Sequence, residues 1–522
     1  MDRNNIPKEK FVFVNAGQKL SDQKFEDKPV GYFKDAWIRF RKSKASVIAA
    51  IIILCIIVYS LLTPLLITTH DASFLCGTYA KKPARVTWLR NFGIATGGVK
   101  TNNSEAGFVK LQAIAVGAEG KNGEVVGFDK VQDSPYHPVL KLGTPYTQQQ
   151  PNLKMATYYP ATVDTYLEVG FQYVTVEQAE YQKIQQWEQE TGIPVLYPLI
   201  DTQNGYCFDP EDANFWYKTT GKGVPVSVNA AGKAKQMTYA EDMVLEDNYK
   251  RNADGELVYT QFVGGGDAET AQLKLRVLYY NYYQYLYGHL PNYLLGTDAQ
   301  GYDLALRVAG GIRLSLVVAI SVSLTNFLIG AAYGAVEGYY GGTTDILLSR
   351  VTDILSGIPF IVVVTLFQIY FSQKAGPIPS LLFAYVLTGW IVTANRVRTQ
   401  FYRYKNQEYV MAARTLGASD WRIIWKHIFP NTLGTIITSS ALVIPGVILT
   451  ESMLSFLGII KLGGADGTSL GTLLSDASGI WTQYPHLMLV PALVISLLMV
   501  CFNLFGNGLR DAFNPALRGV ED

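Results

Sequence analysis

Residues 45–67 read ASVIAAIIILCIIVYSLLTPLLI and contain no charged side chain. A bilayer core about 30 Å thick is crossed by roughly 20 apolar residues in a helix, so this run is long enough to span a membrane. It begins after 44 residues, is longer than the apolar core of a signal peptide and lacks a small-residue cleavage site. We therefore expect a retained transmembrane helix rather than a cleaved signal.

Five further apolar runs follow, so the sequence predicts an all-α membrane bundle of six transmembrane helices. Several of these runs contain Gly, Pro, Ser or Asn, which membrane helices tolerate better than soluble helices do. Six runs bounded by charged residues also argue against the buried helices of a soluble protein. The five runs are Leu314–Val336, Ile354–Phe371, Ile378–Ala394, Leu433–Ile459 and Leu487–Phe505.

The charges of this 522-residue chain are unevenly distributed. Charged residues make up 17% of the sequence, against about 25% in a typical soluble protein. Residues 1–44 hold 17 of them and residues 71–295 hold 43, whereas the 27 in residues 296–522 gather between the apolar runs. The sequence therefore predicts a water-compatible domain, residues 70–294, inserted between the first two membrane helices. The formal net charge of +1 argues against a nucleic-acid-binding protein.

Lys and Arg beside the apolar runs predict the orientation in the membrane. Residues 1–44 carry 11 basic side chains, which places the N-terminal segment in the cytoplasm. The insert 70–294 is then extracellular, and the core 295–522 supplies five more helices and a cytoplasmic C-terminus. A strongly basic loop between the fourth and fifth runs agrees with this topology, which we expect in a prokaryotic plasma membrane. Its basic residues are Arg396, Arg398, Arg403, Lys405, Arg414, Arg422 and Lys426.

For the insert the sequence predicts a small α+β domain. Thr175–Gln178 has the pattern of a capping box, which predicts a helix from there to Thr191, and Gly192 and Pro194 are stop signals. Apolar segments on either side of this helix suggest a β-α-β order. The predicted strands are 165–176, 193–200, Phe108–Val116, Val224–Val228 and Leu257–Val263.

Tyrosine is concentrated in the insert, with 21 of the 33 Tyr residues between positions 71 and 295. The densest run is YYNYYQYLYGHLPNY at 279–293. It is typical either of a contact surface for a binding protein or peptide, or of an interfacial aromatic belt together with domain core, and we favour the second interpretation. Cys76 and Cys207 are the two Cys residues of the insert and form a candidate disulfide whose geometry the sequence leaves open.

The basic loop contains the segment NQEYVMAARTLGASDWRIIWKHIFPN, residues 406–431. This segment predicts a short amphipathic helix lying across the cytoplasmic face, with Gly417 as a break or a point of close backbone approach and Pro430 starting the next membrane segment. An ordinary basic interfacial helix is the alternative interpretation. The predicted apolar face consists of Ala412, Ala413, Leu416, Ile423, Ile424 and Ile428.

This segment resembles the coupling loop of binding-protein-dependent ABC importers. The family pattern is Glu-Ala-Ala, three residues, Gly, nine residues, then Ile-x-Leu-Pro, and Ala412, Ala413, Gly417 and Pro430 fall at the expected spacing. Met411 replaces the leading Glu, and Glu408, one turn earlier, is a candidate substitute for it. His427 and Phe429 replace the Ile and Leu.

Four further segments resemble the C-type subunit of oligopeptide and dipeptide permeases. Tyr302 stands where this subfamily usually has Arg, and Leu470 where it usually has Trp. The resemblance covers residues 30–70 and 295–522. The four segments are LGTDAQGYDLALRVAGGIRLSL (295–316), GYYGGTTDILLSRVTDIL (338–355), ILTESMLSFLGI (448–459) and FNLFGNGLRDAFNPALR (502–518).

The resemblance implies a type I ABC permease fold that imports oligopeptides or dipeptides. It implies a second homologous permease subunit forming a heterodimer, two cytoplasmic ATPase subunits that bind ATP and Mg, and an extracytoplasmic binding lipoprotein that delivers the peptide. It also implies that the coupling loop, 396–432, docks into a groove on an ATPase. The residues assigned to ATPase coupling are Glu408, Ala412, Ala413, Gly417, Ala418, Asp420 and Pro430.

The sequence itself predicts no catalytic, cofactor or metal site. None of its three Gly-Lys pairs is followed by the Ser or Thr of a phosphate-binding loop, and HExxH, CxxC and GxSxG do not occur. ATP hydrolysis is therefore expected on separate subunits. Two alternatives remain open, namely the same machinery with another cargo (a nickel complex, haem or an oligosaccharide) and a membrane-anchored extracellular receptor.

Two polar residues lie within predicted membrane helices. Glu451 is an acid deep in the fifth run, where an ionisable group is costly and usually faces a cavity or a partner. It is a candidate for the pore or the subunit interface, or alternatively for a structural hydrogen bond between two helices, and Asn503 in the sixth run is a second pore or interface candidate. Asp345, on the cytoplasmic side, is expected to be solvated or to contact the ATPase.

Overall fold

The computed structural model describes residues 32–90, 92–120, 123–151, 153–239, 243–263, 272–464 and 467–513. Most of the predicted segment 1–44 and the end of the 502–518 segment therefore lie outside the described residues. Within the described residues, five helical segments are long and apolar enough to cross a membrane, or six if one bent pair of helices counts as a single span.

Five of the six predicted apolar runs fall largely on helical segments that are long and apolar enough to span a membrane. An amphipathic helix, α1 (Tyr32–Lys42), precedes the first spanning helix, α2 (Lys44–Leu66). The second, α7 (Leu304–Tyr340), is 37 residues long and extends beyond the predicted run Leu314–Val336 at both ends. The other helices of this part are α8 (Gly342–Ser356), α9 (Phe360–Ala375), α10 (Pro377–Thr388), α11 (Trp390–Tyr404), α14 (Phe429–Ala441), α15 (Val443–Phe456), α16 (Leu470–Ala477) and α17 (Pro485–Phe513).

The predicted third span, Ile354–Phe371, falls across a break. Helices α8 and α9 meet at an angle of 71°, and Pro359 stands directly before α9. Proline restricts the residue before it and cannot donate a backbone hydrogen bond, so a continuous helix is disfavoured at this point.

Glycines allow α7 and α11 to pack closely. Gly330, Gly334 and Gly338 recur every four residues and lie on one side of α7. A Cβ atom added at Gly334 would lie 2.2 Å from the carbonyl oxygen of Ala394 in α11, and one added at Gly338 would lie 2.6 Å from the Cβ of Phe401. Small residues at this spacing let two membrane helices approach each other backbone to backbone.

The region between α2 and α7 contains two four-stranded antiparallel sheets and several helices. In the first sheet β4 is central, and in the second β10 pairs with β5, β6 and β9. Both β5 and β6 run antiparallel to β10 and are therefore parallel to each other. Together with α5 (Gln178–Thr191), which connects them, they form a β-α-β unit in which β10 lies between the two parallel strands. The strands of the two sheets are β1 (Gly98–Ser104), β2 (Val139–Leu142), β3 (Tyr146–Gln149), β4 (Met155–Asp164), β5 (Phe171–Glu177), β6 (Leu196–Tyr197), β9 (Thr260–Val263) and β10 (Gln272–Leu278).

In the described part of the chain, four further α-helices lie between α2 and α7, and four short strands form two separate two-stranded sheets. The strands β7 and β8 pair with each other, as do β11 and β12. These elements are α3 (Thr87–Arg90), α4 (Glu105–Glu119), α5 (Gln178–Thr191), α6 (Tyr279–Tyr287), β7 (Val226–Val228), β8 (Ala234–Gln236), β11 (Gly463–Gly464) and β12 (Gly467–Thr468).

Two predictions for the insert are wrong. The predicted strand Phe108–Val116 is part of helix α4 (Glu105–Glu119), which is capped by Ser104, whose hydroxyl accepts from the backbone N–H of Gly107. Most residues of α4 are buried, so apolar residues occur on all of its faces. They therefore do not recur with the period of 3.6 residues by which a sequence indicates an amphipathic helix. The helix ending at Thr191 is confirmed, but Thr175 lies in β5, and Glu177 precedes the helix without a side-chain cap.

Most of the tyrosine run 279–293 belongs to the core of this region. Tyr279, Tyr282, Tyr283 and Tyr293 are buried with Cys76 in one apolar cluster. The hydroxyl groups of Tyr283 and Tyr293 are hydrogen-bonded at 3.1 Å. Buried side chains cannot form a contact surface, so the domain-core interpretation holds for these four residues.

The candidate disulfide between Cys76 and Cys207 is not formed. Both are free thiols, and they lie in or against different apolar clusters, Cys76 with the tyrosines and Cys207 beside the cluster of α4 and Trp216. Burial raises the pKa of each thiol, which lowers its thiolate fraction at neutral pH.

We expect the purified protein to have the same unfolding temperature with and without reductant. Mass analysis after alkylation under denaturing, non-reducing conditions should find both thiols modified. A reductant-sensitive unfolding temperature together with a Cys76–Cys207 linked peptide would contradict the structure.

Candidate functional site

The predicted coupling loop is two short helices and a wide turn rather than one helix. The first, α12 (Glu408–Thr415), is followed by α13 (Asp420–Arg422), and residues 423–428 then form a π-helical turn leading into α14. Pro430 lies in the first turn of α14, where a missing backbone N–H costs nothing.

Gly417 causes the break between α12 and α13. Its φ of +82° is in the left-handed region, which glycine adopts without the penalty that a Cβ atom brings. The backbone N–H of Ala418 donates to Ala413 at 3.0 Å, and that of Gly417 donates to Arg414 at 3.0 Å. This pair of bonds is the Schellman motif, which ends a helix and satisfies its last carbonyl groups.

The apolar residues of the loop are divided between two environments. Val410, Ile423, Ile424 and Ile428 are buried in a cluster with residues of α7 and α11. Leu416, by contrast, is 88% exposed. The predicted single apolar face, which joined Leu416 to the three isoleucines, is therefore wrong, because the break at Gly417 turns the two halves in different directions.

Leu416 and Trp421 form an exposed apolar pair on either side of the break. Trp421 is 70% exposed, and Gly417, between the two, is also exposed. Large apolar side chains held in solvent by ordered backbone are typical of a surface that another protein covers. Of the other predicted coupling residues, Glu408, Ala412 and Asp420 are exposed, and Ala413 and Ala418 are half-buried.

Tyr339 joins both halves of the loop to the end of α7. Its hydroxyl donates to Asp420 Oδ1 at 2.5 Å and accepts from Arg414 Nη2 at 3.3 Å. Arg414 lies in α12 and Asp420 in α13, so one buried side chain contacts the loop before and after the break. A displacement of either short helix would therefore act directly on the end of α7.

A second set of charged contacts joins α7, α8 and α11 at the same end. Arg398 donates to both carboxylate oxygens of Asp345, at 2.6 and 2.7 Å, and lies 3.5 Å from the fully buried carboxylate of Glu337. The hydroxyl groups of Tyr402 and Ser349 donate to Asp345 and Glu337, at 2.8 and 2.7 Å. Asp345 is thus buried and paired, and the expectation that it is solvated is wrong.

Glu451 is buried between two membrane helices. It is 1% exposed and accepts hydrogen bonds from Ser315 of α7 at 2.9 Å and from Ser455 at 3.0 Å. This arrangement is the structural tie between helices that the sequence left open as one of two interpretations. Asn503, the other candidate, is exposed and donates to the carbonyl oxygen of Met499 at 2.8 Å.

We expect Glu451→Leu to destabilise the bundle by about 1–3 kcal/mol, because the hydroxyl group of Ser315 would be left buried without its acceptor. Glu451→Gln keeps an acceptor oxygen and should be close to the wild type. The measurement is the unfolding temperature of the detergent-purified chain. A Glu451→Gln variant as unstable as Glu451→Leu would show that the charge, and not the hydrogen bond, is required.

Sequence reasoning located the loop but not the side chains that hold it. Tyr339 belongs to the GYYGG segment at 338–342, which indicated the family without assigning this residue a role. The pairing of Arg398 with Asp345 joins residues 53 positions apart, and a single sequence contains no signal for such a contact.

Two family models match parts of this chain. Residues 326–519 match the family described as the binding-protein-dependent transport system inner membrane component, and residues 31–76 match the N-terminal transmembrane domain of oligopeptide transport permease C.

Curated relatives include two oligopeptide transport system permease proteins OppC. The one from Bacillus subtilis is 39% identical over 43% of this chain and 72% of its own length. The one from Haemophilus influenzae is 42% identical over 43% of this chain and 70% of its own length. The dipeptide transport system permease protein DppC of Lactococcus lactis is 39% identical over 44% of this chain and 65% of its own length. The matched part thus spans about two thirds of the length of these relatives.

Among solved structures, the MetNI methionine ABC transporter matches 40% of this chain and 96% of its own, with 15% identity and a TM-score of 0.33. A TM-score this low supports no conclusion about the fold, so the family rests on the sequence matches.

Proposed function

The chain belongs to the family of oligopeptide and dipeptide transport permeases, and from this premise we propose that it forms one half of the pathway through which an ABC importer moves peptides across the membrane. The chain is an integral membrane component of a transport system and not itself an enzyme. In this proposal ATP is hydrolysed, with Mg, on two separate cytoplasmic ATPase subunits. A second, homologous permease subunit completes the pathway as a heterodimer.

The exposed pair Leu416 and Trp421 carries the proposal. The pair lies on a loop whose backbone is ordered by the Schellman motif at Gly417 and whose position is set by Tyr339. We infer that an ATPase groove covers this pair, so that movement of the ATPases reaches α7 through Arg414, Asp420 and Tyr339. The transported peptide would then meet a bundle that opens to one side of the membrane at a time, with ATP shifting the population between the two states.

The proposal includes six membrane spans, with the bent pair α8 and α9 counted as one. The N- and C-termini are then cytoplasmic, and the region between α2 and α7 is an extracellular domain. An extracytoplasmic binding lipoprotein would deliver the peptide to that side. The basic residues of the coupling loop support this orientation, because cytoplasmic loops carry an excess of Lys and Arg.

Co-purification tests the proposal. The chain is expressed together with the partner permease and the ATPases, and we expect two ATPase subunits to be recovered with it and ATP-dependent uptake of a labelled oligopeptide in proteoliposomes. Leu416→Asp should remove the ATPases from the complex, because a buried unpaired charge is costly.

The matched control is Leu153→Asp, since Leu153 is similarly exposed, at 77%, but lies at the turn between β3 and β4. It should retain both the ATPases and uptake. Recovery of the chain without any ATPase, or equal loss in both variants, would overturn the proposed docking.

A further inference from the structure

Val86 and Ala95 lie side by side at the base of a loop, and we call its described residues, 86–90 and 92–95, the apolar loop. The backbone N–H of Val86 donates to Ala95 at 2.9 Å, and that of Gly97 donates to Ala84 at 2.9 Å, which joins the two ends of the loop. Further bonds lie inside it, for example from Arg90 to Val86 at 2.9 Å. The described backbone of the loop is therefore held by its own hydrogen bonds.

The apolar loop holds three large apolar side chains in solvent. Trp88 is 66% exposed, Phe92 is 75% exposed and Ile94 is 59% exposed. All three lie between positions 88 and 94. Such a concentration of apolar side chains indicates a surface that is covered in the working protein.

The base of the loop is attached to the segment that leads into α7. Arg85 and Tyr293 exchange two backbone hydrogen bonds, at 2.9 and 2.8 Å. The backbone N–H of Thr297 donates to the carbonyl oxygen of Lys82 at 2.9 Å, and the side-chain Oγ1 of Thr297 accepts from the backbone N–H of Lys82 at 2.8 Å. The side chain of Arg85 is itself buried against Asp164, at 3.3 Å. The loop is thus held firmly beside residues 293–297.

Contacts between α2 and the start of α7 set the level of these residues relative to the apolar spans. Tyr59, inside the uncharged run of α2, donates to the carbonyl oxygen of Ala305 in the first turn of α7, at 3.0 Å. His70, just beyond that run, is hydrogen-bonded to Asp303 at 2.9 Å. The start of α7 is therefore level with the end of an apolar span, and the backbone N–H of Leu304 donates to Gly296 at 3.0 Å.

The length of the loop keeps its apolar residues near this level. Trp88 is three residues from Arg85 and Ile94 is two residues from Thr96, so their Cα atoms lie within about 11 Å and about 7 Å of the base. The headgroup layer on each side of a bilayer is roughly 5–7 Å thick. A Trp side chain is one of those enriched in this layer.

We propose that the apolar loop inserts Trp88, Phe92 and Ile94 into the lipid headgroup layer and so anchors the region between α2 and α7 to the membrane. A lipid surface is favoured over a protein partner because the base of the loop is held at the level where the apolar spans end. The anchor is independent of the proposed transport cycle and requires only that the chain be in a bilayer.

Quenching of Trp emission by brominated phospholipids tests the anchor. The full chain is placed in nanodiscs with and without brominated acyl chains, and the emission of Trp88 is obtained as the difference between the wild type and Trp88→Phe. We expect brominated lipid to reduce this emission. In the Trp88→Phe background, Phe92→Trp should restore a quenched component.

Met155→Trp in the same background is the matched control. Met155 is also exposed, at 64%, but it begins β4 and lies nine residues from Asp164 beside the loop base, about 30 Å along the strand. Its new emission should not be quenched by brominated lipid.

Two outcomes would overturn the proposal. One is that brominated lipid leaves the emission of Trp88 and of the Phe92→Trp variant unchanged. The other is that quenching in the isolated chain disappears when the partner permease and a binding protein are added, because a protein would then cover the loop in the assembled transporter.

Discussion

Gly334→Val is expected to prevent the correct packing of the membrane core. The Cβ atom of the new residue would lie 2.2 Å from the carbonyl oxygen of Ala394 and 2.9 Å from the Cβ of Val397. The closest contact is with backbone, so no side-chain rotation relieves it, and α7 and α11 must separate. Overpacking usually costs about 1–3 kcal/mol, and we expect Gly334→Val to cost about 3 kcal/mol or more. The variant should show a lower unfolding temperature and should aggregate when it is extracted from the membrane.

Gly446→Val is the matched control for this change. Gly446 is also a glycine within a membrane helix, α15, but no heavy atom lies within 4 Å of its added Cβ. This variant should therefore extract and unfold like the wild type. If the two variants behaved alike, the close contact of α7 with α11 would not be the cause.

Gly417→Val is expected to abolish most peptide uptake while the chain still inserts and folds. No heavy atom lies within 4 Å of an added Cβ at this position, so the effect comes from the backbone. A φ of +82° costs an L-residue about 1–2 kcal/mol, and a β-branched side chain is among the worst tolerated there. Relaxing this strain breaks the Schellman motif and turns Leu416 away from Trp421.

A strain of about 1.4 kcal/mol shifts an equilibrium about tenfold. The fraction of chains whose loop keeps the conformation that docks on the ATPase should therefore fall roughly tenfold or more, and ATP-dependent uptake should fall with it. The measurements are uptake in proteoliposomes and the amount of chain in the membrane. Gly192→Val is the matched control, because Gly192, at the end of α5, has a φ of +71° and no heavy atom lies within 4 Å of a Cβ added there. Uptake close to the wild type in Gly417→Val, or an equal loss in Gly192→Val, would contradict the role assigned to the loop.

Interpretation of the insert from sequence succeeded where the local pattern was strong and failed where burial was complete. The helix ending at Thr191 carries a glycine at its end in the left-handed conformation, and this signal is local. Helix α4 is buried almost all round, so it has no polar face to reveal its period. The apolar loop was missed because Trp88, Phe92 and Ile94 do not form a run, and only the closed backbone places them together.

The sequence alone determined that the chain is a membrane permease, where its apolar spans lie and where the loop 396–432 occurs. Those features depend on hydrophobicity along the chain and on spacing within a few turns, which a single sequence records directly. The tertiary structure alone decided how the loop is held, through Tyr339 to Arg414 and Asp420, and that Glu451 joins α15 to α7. These contacts join residues from 75 to 136 positions apart, and only the packing of distant helices brings such residues within hydrogen-bond distance, so no local pattern in the sequence records them.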